Sequence, residues 1–95
     1  MITTKQRAKL RGLANPMETI LQVGKGGIGQ PLIKQVDDAL TARELIKLRV
    51  LENSLYTARE AAQELAQATN ADIVQVIGTR FVLFRRNPKK PQIEL

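Results

Sequence analysis

Cysteine, histidine and tryptophan are absent from the 95 residues, and serine occurs once, at Ser54. Without cysteine no disulfide framework or thiolate site can be built, which fits a reducing compartment. Without histidine or cysteine the usual zinc ligand sets and the common serine or thiol nucleophile arrangements are also missing. Carboxylates and lysines remain, but Asp37 and Asp38 are the one adjacent acidic pair, and neighbours on a helix point about 100° apart and do not converge on one substrate atom. No enzyme chemistry, metal or cofactor is therefore expected. Aromatic residues make up 3% of the chain, as Tyr56, Phe81 and Phe84, too few for a generous base-stacking platform. The two phenylalanines are expected in the core. Finally, no apolar run reaches signal-peptide or membrane-spanning length, and the opening Met1-Ile2-Thr3-Thr4-Lys5 turns basic at once. A cytoplasmic protein without membrane association is the expectation.

What is present describes a small folded domain. With 43% hydrophobic and 25% charged residues the chain has the balance of a globular protein. Its length leaves room for one compact core, and a domain this small buries only about 60–65% of its unfolded surface. The net charge of +6 is unevenly spread: residues 1–36 hold six basic residues against Glu18 alone, residues 37–79 hold four against seven acidic, and residues 80–95 hold five against Glu94. Positive ends around a negative middle favour a polyanionic partner at the ends.

Periodicity divides the chain into seven elements. Thr3-Thr4-Lys5-Gln6 fits a capping box and opens a helix whose apolar stripe is Leu10, Leu13, Ala14 and Met17, ended near Pro16. Thr19–Val23 reads as a short strand. A glycine-rich turn follows, and Pro31 suits the first turn of a second helix that starts near Gln30 and buries Leu32, Ile33, Val36 and Leu40. Leu45–Leu51 alternates Ile46, Leu48 and Val50 inward with Lys47 and Arg49 outward. A third helix spans Thr57–Thr69, opened by a Thr57 to Glu60 capping box and lined by alanines that permit close packing. Ile73–Ile77 and Phe81–Arg85 are joined through Gly78-Thr79-Arg80, a spacing that requires a hairpin. The expected fold is α/β, in the order α-β-α-β-α-β-β, with a mixed four-stranded sheet whose first two strands are parallel. Residues 1–86 form the domain, and residues 87–95 form a basic, proline-containing tail expected to be loosely held.

The glycine turn Gly24-Lys25-Gly26-Gly27-Ile28-Gly29 admits two readings. Gly24, Gly26 and Gly29 match the dinucleotide-binding spacing, with Glu44 or Glu52 as the ribose-binding acid. Against it stand the terminal hairpin and a chain too short for two mononucleotide-binding halves. In the second reading Gly24-Lys25-Gly26-Gly27 is a G-x-x-G loop that clamps nucleic-acid backbone. Glycines let backbone N–H groups approach a phosphate, the following helix adds its positive end, and Lys25 adds a mobile charge. The first helix carries Lys5 and Lys9 on one flank and Arg7 and Arg11 on the other, about 160–200° apart, so one ligand can meet only one pair. Lys34, on the exposed side of the second helix, and Arg85, at the end of the last strand, complete the candidate RNA contacts. With so few aromatics, recognition should rest on phosphate, sugar and shape and depend strongly on salt.

In this order the motifs resemble the CRM domain family (chloroplast RNA splicing and ribosome maturation), in particular its bacterial single-domain YhbY-type members. The resemblance covers nearly the whole chain and is carried by Lys5-Gln6-Arg7 through Leu10-Arg11-Gly12-Leu13-Ala14, Gln22-Val23-Gly24-Lys25-Gly26-Gly27, Glu44-Leu45-Ile46-Lys47, Val74-Gln75-Val76-Ile77-Gly78 and Leu83-Phe84-Arg85. Two positions depart from the pattern: Asn15 stands where histidine is common, and Phe84 where tyrosine is common. The resemblance implies a KH-like fold similar to the C-terminal domain of initiation factor three, and RNA binding through the G-x-x-G loop and the adjoining basic surface, supported by the basic first helix. It further implies association with ribosomal RNA in pre-50S ribosomal particles during large-subunit assembly; plant relatives assist group II intron splicing. Structured RNA is the expected partner, with no small-molecule substrate, and a monomer is favoured. The alternative is a protein-interaction module that docks on ribosomal proteins or assembly factors.

Overall fold

The computed structural model describes residues 2–95; Met1, the first residue of the expected domain, lies outside them. Helix α1 spans Thr4–Ala14, strand β1 Leu21–Val23, helix α2 Gln30–Arg43, strand β2 Leu45–Val50, helix α3 Ala58–Thr69, strand β3 Asp72–Ile77 and strand β4 Arg80–Phe84. Both capping boxes form. Thr3 Oγ1 accepts from Gln6 N at 3.1 Å while Gln6 Oε1 accepts from Thr3 N at 2.9 Å, and Thr57 and Glu60 repeat the exchange at 3.1 and 2.8 Å. Each box satisfies two backbone donors that a helix start otherwise leaves open. The strand expected from Thr19 shortens to three residues. Arg80, expected in the turn, is the first residue of β4 and pairs with Ile77.

The four strands lie in the order β1-β2-β4-β3. β1 runs parallel to β2, with Leu21 opposite Leu48 and Val23 opposite Val50, and β4 is antiparallel to both its neighbours. The parallel pair follows from the connection: a strand, a helix and a second strand in one sheet need a crossover of a dozen or more residues, which α2 supplies. The register shifts between Ile73 and Gln75, so β3 carries one extra residue, Val74, against β4.

Alternation on the strands divides the core. Ile46, Leu48, Val50, Phe81 and Leu83 meet Val36 and Leu40 of α2 and the alanine face of α3, where Ala58, Ala61, Ala62, Leu65 and Ala66 are buried. On the other face Leu45, Val74, Val82 and Phe84 meet Leu10 and Ala14 of α1. Both phenylalanines are buried, as expected, and each such side chain contributes about 1.5–3 kcal/mol relative to exposure. Leu13 was expected in the stripe but is 44% exposed, because α1 touches the sheet through a narrow seam.

The C-terminal segment is not loosely held. Ile93 and Leu95 pack on the α1 side of the core, and Glu44 fastens the chain between them and β4. Its carboxylate accepts from Asn87 N at 2.6 Å, Gln92 N at 2.6 Å and Ile93 N at 2.8 Å. Further ties run from Asn87 Nδ2 to Thr41 O at 3.0 Å, from Gln92 Nε2 to Ala42 O, and from Lys9 Nζ to Glu94 O. Composition marked residues 87–95 as tail because lysine and proline are polar and strand-breaking. The anchor lies some 45 positions upstream, where composition of the segment itself cannot register it.

Candidate nucleic-acid interface

Strand β1 ends at Val23, whose carbonyl accepts from Leu51 N at 2.9 Å, and the chain then turns sharply to enter α2. Gly27 N donates to Gly24 O at 3.0 Å, closing Gly24-Lys25-Gly26-Gly27 into a four-residue turn. Gly27 has φ +71°, a left-handed conformation that a side chain resists. A Cβ there would also sit 3.5 Å from the ring of Tyr56. The nearby Glu64 carboxylate of α3 pushes the phenol of that tyrosine above its ordinary pKa. Gly26 is different, with open space where its side chain would be. The backbone therefore lies bare at that position, and Lys25 beside it is exposed.

Helix α2 begins immediately afterwards. Its N-cap is Gly29, which brings no side chain to the first-turn donors, and no acidic residue lies in that turn. Pro31 has no N–H, so Gln30 and Leu32 carry the unsatisfied backbone donors at this end. The starts of α1 and α3 are closed by their own threonines. The start of α2 combines free N–H groups, the positive end of a helix dipole, an exposed lysine and a bare backbone, which together favour an anion.

The remaining expected contacts are distributed unequally. Lys5 and Lys9 occupy one flank of α1 and Arg7 and Arg11 the other; Lys9 reaches the C-terminal segment at Glu94 O, while Arg7 is half-buried over the β3 edge beside Arg59. Lys34, one turn into α2, forms an exposed pair with Asp38 at 3.3 Å. Arg85 is set apart from the rest. Its guanidinium donates to Asp37 Oδ1 at 2.6 Å, Thr69 O at 2.7 Å, Thr41 Oγ1 at 2.8 Å and Asp37 O at 3.0 Å. It clamps the end of β4 to α2 and α3, with Asp37 as its counterion. The four bonds leave little of that fork free for a ligand.

Glu44 was a candidate ribose-binding acid in the dinucleotide reading. It is fully buried with both oxygens engaged by backbone, so it cannot meet a ribose. Burial alone would raise its pKa. The three backbone donors, with Arg86 at 4.0 Å, outweigh burial and hold the carboxyl below its ordinary value. The residue also has φ +64°. Nothing in the sequence around Glu44 marks this role or the segment it holds.

Comparison with known proteins agrees with this arrangement of helices and sheet. The chain is 42% identical over 95 residues, covering all of it and 99% of its relative, to "Probable RNA-binding protein YqeI" of Bacillus subtilis (strain 168). It is 31% identical to an "RNA-binding protein" of Haemophilus influenzae, over 88% of this chain and 85% of the relative. The solution structure of the hypothetical protein SAV1595 from Staphylococcus aureus superposes with a TM-score of 0.83 at 46% identity, covering 100% of this chain and 99% of that one. The sequence profile of the CRS1 / YhbY (CRM) domain matches residues 2–85, from the first turn before α1 to the arginine after β4, and the chain belongs to that family.

Proposed function

We propose that this chain is a non-catalytic RNA-binding protein that grips RNA backbone at the Gly24–Gly27 turn and the first turn of α2. The observation that carries the reading is the open start of α2: free donors at Gln30 and Leu32, no acidic residue, and the exposed Lys25 beside a bare Gly26. A phosphate is the ligand such a site suits best. The names of the relatives support RNA as the polymer that bears it. At the finer level, the family resemblance supports ribosomal RNA in precursors of the large subunit, in the cytoplasm. Binding there is expected to follow backbone and shape, since the two buried phenylalanines leave Tyr56 as the one aromatic near the loop.

The test is binding of labelled large-subunit RNA fragments across a salt series by the wild type and by Lys25→Glu with Gly26→Asp. Both substitutions fall where the structure has room, and circular dichroism should show both proteins folded. The wild type is expected to bind with log K falling linearly in log salt, by about 0.7–0.9 per phosphate neutralised, and the variant to lose most of its affinity. Equal binding by both proteins would move the site away from the loop. A second reading, docking on a ribosomal protein, has one observation in its favour: Leu55, in the loop before α3, is 94% exposed. It requires that Leu55→Ser, and not the loop variant, abolish capture.

A further inference from the structure

The sheet face that carries α1 is only half covered. α1 lies over Leu45, Val74, Val82 and Phe84, toward one end of the strands. Toward the other end, strand alternation brings Lys47 and Arg49 of β2 and Arg80 of β4 to the same face. Pairing puts Arg49 directly opposite Arg80, and the row continues on one side to Gln22 of β1 and on the other to Ile77 of β3. Lys47 sits one step along, its ammonium 3.4 Å from the carbonyl of Asn15 at the end of α1. Asn15, Lys47, Gln75, Ile77 and Arg80 line a groove there.

This arrangement costs the fold something. Like charges directly opposite each other across an antiparallel pair are destabilising, and natural sheets usually place an acid in one of the two positions. Here no carboxylate relieves the repulsion: among the described residues the ion pairs are Lys34–Asp38, Arg85–Asp37 and Arg86–Glu44, and none involves the three bases of this face. Ile77 adds a 60% exposed apolar side chain at the end of the row, suited to a sugar or base edge. The row also begins two residues before the glycine turn. Neighbouring strands are about 4.8 Å apart, so Arg80 lies about 10 Å across the sheet from Gln22, and the turn with Lys25 follows β1 directly.

We infer that the Arg49–Arg80 row, with Lys47, is a second contact surface for the same RNA, which leaves the glycine turn and crosses the open sheet toward the end of α1. This inference rests on the RNA-binding reading and extends it to residues outside the glycine turn and the first turn of α2. The experiment compares four proteins by RNA binding in a salt series and by thermal melting: wild type, Lys25→Glu with Gly26→Asp, Arg49→Gln with Arg80→Gln, and a control of equal charge change on the helices, Arg43→Gln with Arg59→Gln. The sheet variant should bind more weakly, with a salt slope shallower than wild type by roughly 1.4–1.8 for two lost phosphate contacts, and should melt at or above the wild-type temperature because a repulsion is gone. The control should keep the wild-type slope. If the wild type itself fails to bind, the RNA reading falls and takes this inference with it. If the loop variant alone is impaired, the inference falls and the RNA reading stands. Equal losses in the sheet variant and the control, or a lowered melting temperature in the sheet variant, would also overturn it, by showing a bulk-charge or structural role.

Discussion

Glu44 organises more of this molecule than any other single residue. Its backbone takes φ +64° at the end of α2, where its N–H still donates to Leu40 O at 2.8 Å and its carbonyl accepts from Arg85 N at 2.9 Å. Such a conformation persists in a residue with a side chain only where the surroundings over-determine it, and here the carboxylate does so by collecting three backbone N–H groups from residues 87–93. Because the folded carboxyl titrates below its ordinary value near 4.5, the stabilisation is complete above the unfolded-state value and is lost as pH falls through the folded one. Glu44→Gln should remove that acid-side dependence and destabilise the protein by about 1–3 kcal/mol at neutral pH, since one oxygen becomes an amide donor facing a buried N–H. Urea unfolding of both proteins between pH 3 and pH 7, on the order of a dozen points, measures it; parallel pH profiles would contradict the role. None of this was legible in the sequence. The partners of Arg85 were hidden for the same reason, because a basic residue at a strand end looks alike in sequence whether or not it meets an acid such as Asp37.

Elements were far more legible than residues, because their signals are local. Both capping boxes are spelled by four consecutive residues, the hairpin by the distance between two apolar runs, and the helix starts by threonine and proline. What failed at this scale was extent, and it failed where partners decide it. β1 is regular over three residues only, although Ile20 N just before it still donates to Lys47 O, and Leu13 stays exposed while Leu10 and Ala14 of the same helix are buried. The third helix packs on β3 and β4, and Tyr56, just before it, lies against the glycine turn at Gly27. Thr57→Ala removes its cap and should cost about 1 kcal/mol, within a range of about 0.5–2. The Thr57 backbone N–H, and after it the Thr57 hydroxyl, hold the Glu60 carboxyl below its ordinary pKa, and since the variant keeps the first and loses only the second, Glu60 should titrate slightly higher. Thermal melting and carboxylate titration by NMR check the two halves of this expectation, and an unchanged Glu60 titration would leave the backbone bond alone as the cause.

At the scale of the whole molecule, the segregation of charge along the chain becomes a segregation in space. The acidic middle of the sequence is absorbed largely by structure: Asp37 by Arg85, Asp38 by Lys34, Glu44 by the C-terminal segment and Glu60 by the α3 cap. Among the described residues, Lys25 of the glycine turn and the bases of the open sheet face have no such acidic partners, so the positive field is left where the backbone is most accessible. The turn was legible as a candidate site because its glycines and Lys25 are contiguous, whereas the Arg49–Arg80 row required the strand register, which joins residues 31 positions apart. The most direct measurement is an NMR titration of the 10.6 kDa protein with a labelled-free large-subunit RNA fragment, following each backbone amide. The account predicts that the largest shifts fall on Gly26, Gly27, Gln30 and Leu32, where the phosphate would meet the donors at the start of α2. Shifts confined to the C-terminal segment or to the exposed face of α3, with the turn unmoved, would contradict it.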